Sequence, residues 1–136
     1  MAHLCVVAYL VPVALLDSVM QWMPQETSGA VHWIVASGEV NEMQVFDTLW
    51  SMKEQVTMCI LPAAGEASDE ALFDIVAVEW PRGTSSVIVL CCEGQRPVGP
   101  LGGLTSLVID PEPSFSAKSK LVAAGLARHL RTATGP

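Results

Sequence analysis

The chain has 136 residues, 51% of them hydrophobic and 15% charged, which fits one domain with a packed core and excludes a disordered segment. Fourteen acidic residues against seven basic ones give a net charge of −7, a poor electrostatic match for nucleic acid. No run approaches the roughly 20 uncharged apolar residues of a membrane span, and no basic residue precedes the apolar stretch 4–16 as it would in a signal peptide. A cytoplasmic location is therefore expected.

Residues 3–10 form an apolar run suited to a central strand. Val11-Pro12 breaks it, with Pro12 suited to the first turn of a helix. Leu15, Leu16, Val19, Met20 and Met23 then recur at helical spacing as far as Pro24. Residues 25–29 read as a polar loop and residues 31–36 as the second strand. After the turn at Ser37-Gly38-Glu39, a second amphipathic helix is marked by Met43, Val45, Phe46, Leu49, Trp50 and Met52. The third strand spans 56–61 and ends at Pro62. Residues 63–69 read as a loop with Ser68 placed to cap a helix over 71–78, and Trp80-Pro81-Arg82-Gly83 as a break.

Val87-Ile88-Val89-Leu90-Cys91-Cys92 is a continuous apolar run, the pattern of a strand covered on both faces. The connection 93–103 holds two prolines and four glycines, too many for a full helix. The fifth strand ends at Asp110. Ser114 suits the cap of a last helix whose apolar positions are Phe115, Leu121, Val122, Leu126 and Leu130. Lys118, Lys120, Arg128, His129 and Arg131 fill the rest of it. Residues 132–136 read as a tail or linker start, which leaves a domain over 1–131.

Alternating strands and helices predict an α/β, doubly wound, five-stranded mainly parallel sheet with the fourth helix shortened or absent. Sites on such sheets lie at the carboxyl edge. Cys5, Cys59, Cys91 and Cys92 all fall in predicted strands, without a CxxC pair or a zinc-like Cys/His spacing. Neighbouring Cys91 and Cys92 should face opposite sides of one strand, and all four read as small buried thiols. His3, His32 and His129 are spread over two strand starts and the last helix, and no serine lies in a GxSxG elbow. Tyr9-Leu10-Val11-Pro12 is too bulky to cradle a phosphate. Glu66, Asp69, Glu93 and Asp110 could crowd the carboxyl edge without defining a metal site. No catalytic residue, cofactor or metal is expected. Of the four tryptophans, Trp80 before a proline is expected to be partly exposed, and with Lys118, Lys120 and Arg128 it makes a candidate interface.

Three segments carry a resemblance: Val7-Ala8-Tyr9-Leu10-Val11-Pro12, Ala36-Ser37-Gly38-Glu39, and Gly102 through Ile109-Asp110-Pro111. In length and pattern they resemble the receiver domain of two-component signalling, over nearly the whole chain. Receivers hold an acid pair where this chain has Tyr9 and Leu10, and a phosphoacceptor aspartate where it has Leu61 or Pro62. Their Ser/Thr becomes Cys91 or Cys92, and their lysine becomes Asp110. The resemblance thus implies a flavodoxin/CheY-like pseudo-receiver, similar to those of clock proteins, which lose the fourth helix and of which some bind quinone-like ligands. It further implies docking to a protein partner, or self-association through the last strand and helix, without phosphorylation. The alternatives are a small flavodoxin-like enzyme or ligand-binding domain using the Cys91/Cys92 edge, and an acidic inhibitor or immunity-type protein.

Overall fold

The chain is built on a central strand, β1 (Leu4–Tyr9), whose six residues are all buried. The computed structural model describes residues 3–38, 55–61, 65–111 and 114–133. The expected helix around Met43 to Met52, with Trp50, lies outside them, as does Pro62. Along β1 the side chains alternate between two cores. Leu4, Val6 and Ala8 face one side, and Cys5, Val7 and Tyr9 face the other.

The first core is closed by α1 (Val13–Trp22) and by the long last helix α4 (Phe115–Ala133). Leu15, Leu16, Val19 and Met20 of α1 and Val122 and Leu126 of α4 meet over Leu4, Val6, Ile88 and Leu90. Leu16 and Leu126 are fully buried, so truncating either to Ala should cost about 2–5 kcal/mol. A polar contact ties the two helices, because the buried Ser119 hydroxyl lies 2.7 Å from that of Ser18. The second core is closed by α3 (Glu66–Glu79), with Leu72 and Val76 packed on Val7, Ile34 and Val89.

The remaining strands are β2 (Val31–Ser37), β3 (Val56–Ile60), β4 (Val87–Cys92) and β5 (Thr105–Ile109). Every neighbouring pair is parallel, in the order β3-β2-β1-β4-β5. The doubly wound α/β class read from the sequence is the one adopted. Flavodoxin and receiver domains place their five strands 2-1-3-4-5. Here β3 lies outside β2, so β1 and β4 are direct neighbours and the winding reverses between them.

Several boundaries differ from the sequence reading. Residues 25–29 are not a loop, because α2 (Gln25–Ala30) occupies them and runs straight into β2. Pro24 explains this: it ends α1, yet its φ of −56° starts a new turn, and the Ser28 N–H reaches its carbonyl at 2.9 Å. Pro12 likewise precedes α1 as its cap residue instead of sitting in the first turn. α3 begins at Glu66 after Gly65, so Ser68 is inside the helix and not its cap. Thr132, read as the start of the tail, belongs to α4 and bonds the Arg128 carbonyl at 3.1 Å.

Other expectations hold. The Ser114 hydroxyl accepts from the Ala117 N–H at 3.2 Å and caps α4. The connection from β4 to β5 forms no full helix, only a turn at Glu93-Gly94 and a short 3-10 segment, Gly99–Gly103. That segment inserts Leu101, fully buried, against α3. Gly102 is required there, since a Cβ would lie 2.5 Å from the Pro97 carbonyl oxygen.

Candidate functional site

At the carboxyl edge of the sheet, where a doubly wound fold binds its ligand, several of the described side chains are buried. Tyr9, Leu61 and Cys91 are buried there, with Leu101 beneath the β4–β5 connection. Leu10 is half-buried and takes a φ of +55°, a left-handed conformation that costs a non-glycine residue about 1–2 kcal/mol. Its N–H bonds the Ala36 carbonyl at 2.8 Å, which turns the chain sharply away from β1. Asp110 is exposed beyond the end of β5.

Of the four acids expected near this edge, Glu66, Glu93 and Asp110 are exposed and Asp69 is fully buried. Among the described residues no three His, Cys, Asp or Glu side chains come together as a metal site. One Asp69 oxygen accepts the Val98 N–H at 2.7 Å and pins the β4–β5 connection to α3. The other has no partner among the described residues. Burial and the Asp69 carboxylate raise the pKa of the Tyr9 phenol well above its ordinary value, so Tyr9 stays protonated. The sequence carried a signal for this burial: Asp69, Leu72, Val76 and Trp80 follow one helical stripe.

That stripe also corrects the reading of Trp80. It is 6% exposed, packs in the second core, and donates its indole N–H to the Ser86 hydroxyl at 2.9 Å. Among the described residues the half-exposed tryptophan is Trp22, at the end of α1. Trp80 therefore lies on the α3 side, away from Lys118, Lys120 and Arg128 on α4.

Three of the cysteines are buried as expected, whereas Cys92 is only partly buried. Cys91 points into the second core and Cys92 packs on the first. Burial pushes the Cys5 thiol up to about 12 and raises Cys59 and Cys91 as well, so none of these three is poised as a nucleophile. The histidines are not all spread out. β1 and β2 are neighbours, and His3 and His32 touch.

The surface read from the sequence around Lys118, Lys120 and Arg128 gains apolar members on the α1–α4 side, which the sequence reading did not include. The Lys120 ammonium sits 4.4 Å above the Trp22 ring. Phe115 and Leu121, expected on the buried face of the last helix, are instead half-exposed. α4 packs chiefly on α1 and more lightly on β1 and β5, which leaves these two side chains outside the packed face. Between α4 and β5 runs a groove of about 150 Å³, lined by Leu107, Ile109, Asp110, Lys118, Leu121 and Arg128. α4 carries four basic residues and no acidic one, whereas α3 on the opposite face carries five acidic residues and no basic one.

No family model matches the chain, and no curated protein or solved structure matches it. Among the described residues no helix is long and apolar enough to cross a membrane.

Proposed function

We propose that this chain is a docking domain without phosphotransfer chemistry, like a pseudo-receiver in role though not in strand order, and that it binds a protein partner through its α1–α4–β5 surface. The observation that carries the reading is the patch itself. Trp22, Phe115 and Leu121 are each about half-exposed on a surface whose charged neighbours, Lys118, Lys120 and Arg128, are nearly all basic. Exposed aromatic and aliphatic anchors with a charged rim are the usual composition of an interface. The charge also selects the occupant. Two copies meeting α4 to α4 would oppose four positive charges with four, so the fitting partner is a protein face with an apolar centre and an acidic rim.

Support for a non-enzymatic role comes from the described part of the carboxyl edge, where Tyr9, Leu61, Cys91 and Leu101 are buried and burial raises the Tyr9 and Cys91 pKa values. The reading is tested by a photo-crosslinking amino acid placed at Leu121, or at Ala71 on the exposed face of α3, in the full chain inside cells. Protein adducts at Leu121 that are absent at Ala71, and lost with Lys118→Glu/Arg128→Glu, are expected. Adducts confined to Ala71 would instead favour an inhibitor that binds through its acidic helix.

A further inference from the structure

At the amino edge of the sheet, two histidines 29 positions apart are brought together by strand register. Cys5 of β1 pairs with His32 of β2, which sets His3 beside His32. His3 Nδ1 lies 3.0 Å from His32 Nε2, with ring centroids 5.1 Å apart. For such a nitrogen contact that centroid separation is close to the largest attainable, so the two nitrogens point at each other. This is the geometry of an N–H···N hydrogen bond. A metal chelate would instead aim both lone pairs at a common third point.

His32 meets the Trp80 ring on its other side, with centroids 5.0 Å apart. The Arg82 guanidinium lies 5.4 Å from the centroid of the same indole. Trp80 in turn holds the end of α3 and the approach to β4, through its backbone N–H to the Val76 carbonyl and its indole N–H to Ser86. The ionisable groups facing the pair are Arg82 and Glu79 from the end of α3 and Cys5 from β1. With Gln55 and Thr57 they line a cavity of about 360 Å³.

We propose that His3 and His32 form a proton-sensing pair whose state is read by Trp80 and the turn it holds. With no added proton, one ring donates and the other accepts. A first proton keeps the contact as a charge-assisted N–H···N bond. A second leaves two donors facing each other beside Arg82, and the contact must open. Glu79 lines the same cavity wall as His32 and Arg82.

Burial first, then His3 and Arg82, hold the His32 pKa below its ordinary value of 6.5. The unfolded chain therefore takes up this proton at higher pH than the folded one. The stability due to neutral His32 is present above about pH 6.5 and is lost as pH falls through the lowered folded value. The titration belongs to the pair, so two coupled steps are expected and not one.

The test is an NMR titration of the full chain from about pH 8 to about pH 4.5, following the imidazole signals and the Trp80 indole N–H, which is assigned by its shift in Ser86→Ala. The expected result is a His32 midpoint below 6.5 that rises in His3→Gln, with the Trp80 signal moving in step with His32. A His32 midpoint unchanged by His3→Gln, or a Trp80 signal constant across the range, overturns the proposal. If His3→Gln does not fold, the parent chain decides: independent one-step titrations of both rings with no response at Trp80 have the same consequence.

Discussion

Asp69 offers the sharpest test of how the carboxyl edge is held. Its carboxylate is fully buried and accepts the Val98 N–H at 2.7 Å, a bond from a half-buried donor to a charged acceptor. Bonds of that kind contribute about 1.5–3 kcal/mol, and Asp69→Ala would also leave the Val98 N–H without its acceptor. Removing an oxygen that lacks a close partner among the described residues offsets part of this loss, whereas removing the carboxylate beside the Tyr9 phenol adds to it. The net cost should be about 2 kcal/mol. Asp69→Asn keeps an acceptor of the same shape and should cost about half as much. A carboxylate acting only as a favourable charge in the first turn of a helix would give a different pattern, about 0.3–1 kcal/mol for either change. Urea unfolding at constant m, read by tryptophan fluorescence, measures the difference. Amide exchange at Val98 should quicken by about tenfold or more in Asp69→Ala, as the connection is released locally. Two variants within about 0.5 kcal/mol of the parent, with Val98 exchange unchanged, would refute the role given to this bond.

Two further outcomes follow from the same edge. Gly102→Ala forces a Cβ to 2.5 Å from the Pro97 carbonyl, a backbone clash that cannot be relieved by a rotamer change, and should destabilise the domain by about 1–3 kcal/mol in the same unfolding assay. A thiol-reactive probe at mildly alkaline pH should modify the half-exposed Cys92 first, with Cys5, Cys59 and Cys91 reacting only on unfolding. Rapid modification of Cys91 in the native chain, read by peptide mass mapping, would contradict its burial and reopen an enzymatic reading of that edge.

The layers were legible in the sequence and the spatial order of the strands was not. Val87 to Cys92 and Leu4 to Tyr9 are apolar at every position, which only a strand covered on both faces tolerates. Nothing in those runs says which strand lies beside which, because every inner strand of a parallel sheet needs the same pattern. Asp69 and Trp80 were misjudged for a shared reason. An acid and a residue before proline each read locally as loop, yet their spacing from Leu72 and Val76 puts both on the buried stripe of α3. Trp22, Phe115 and Leu121 could not be ranked by exposure from periodicity alone. Their exposure depends on where α4 lands on the α1 side, which is a tertiary fact. The meeting of His3 with His32 depends on register between β1 and β2, which no local pattern encodes.

Among the described residues, α3 and α4 carry opposite net charge on opposite faces of the sheet. A body of net charge −7 is repelled as a whole by an acidic partner at long range, yet feels a torque that swings α4 forward as it nears. Both influences fade over a Debye length of about 10 Å at 0.1 M salt. For the acidic partner proposed above, the encounter would be orientational before it is attractive, with α4 turned to present Trp22 and Leu121. Moderate salt that screens the overall repulsion should hasten association, and higher salt that also removes the torque should slow it.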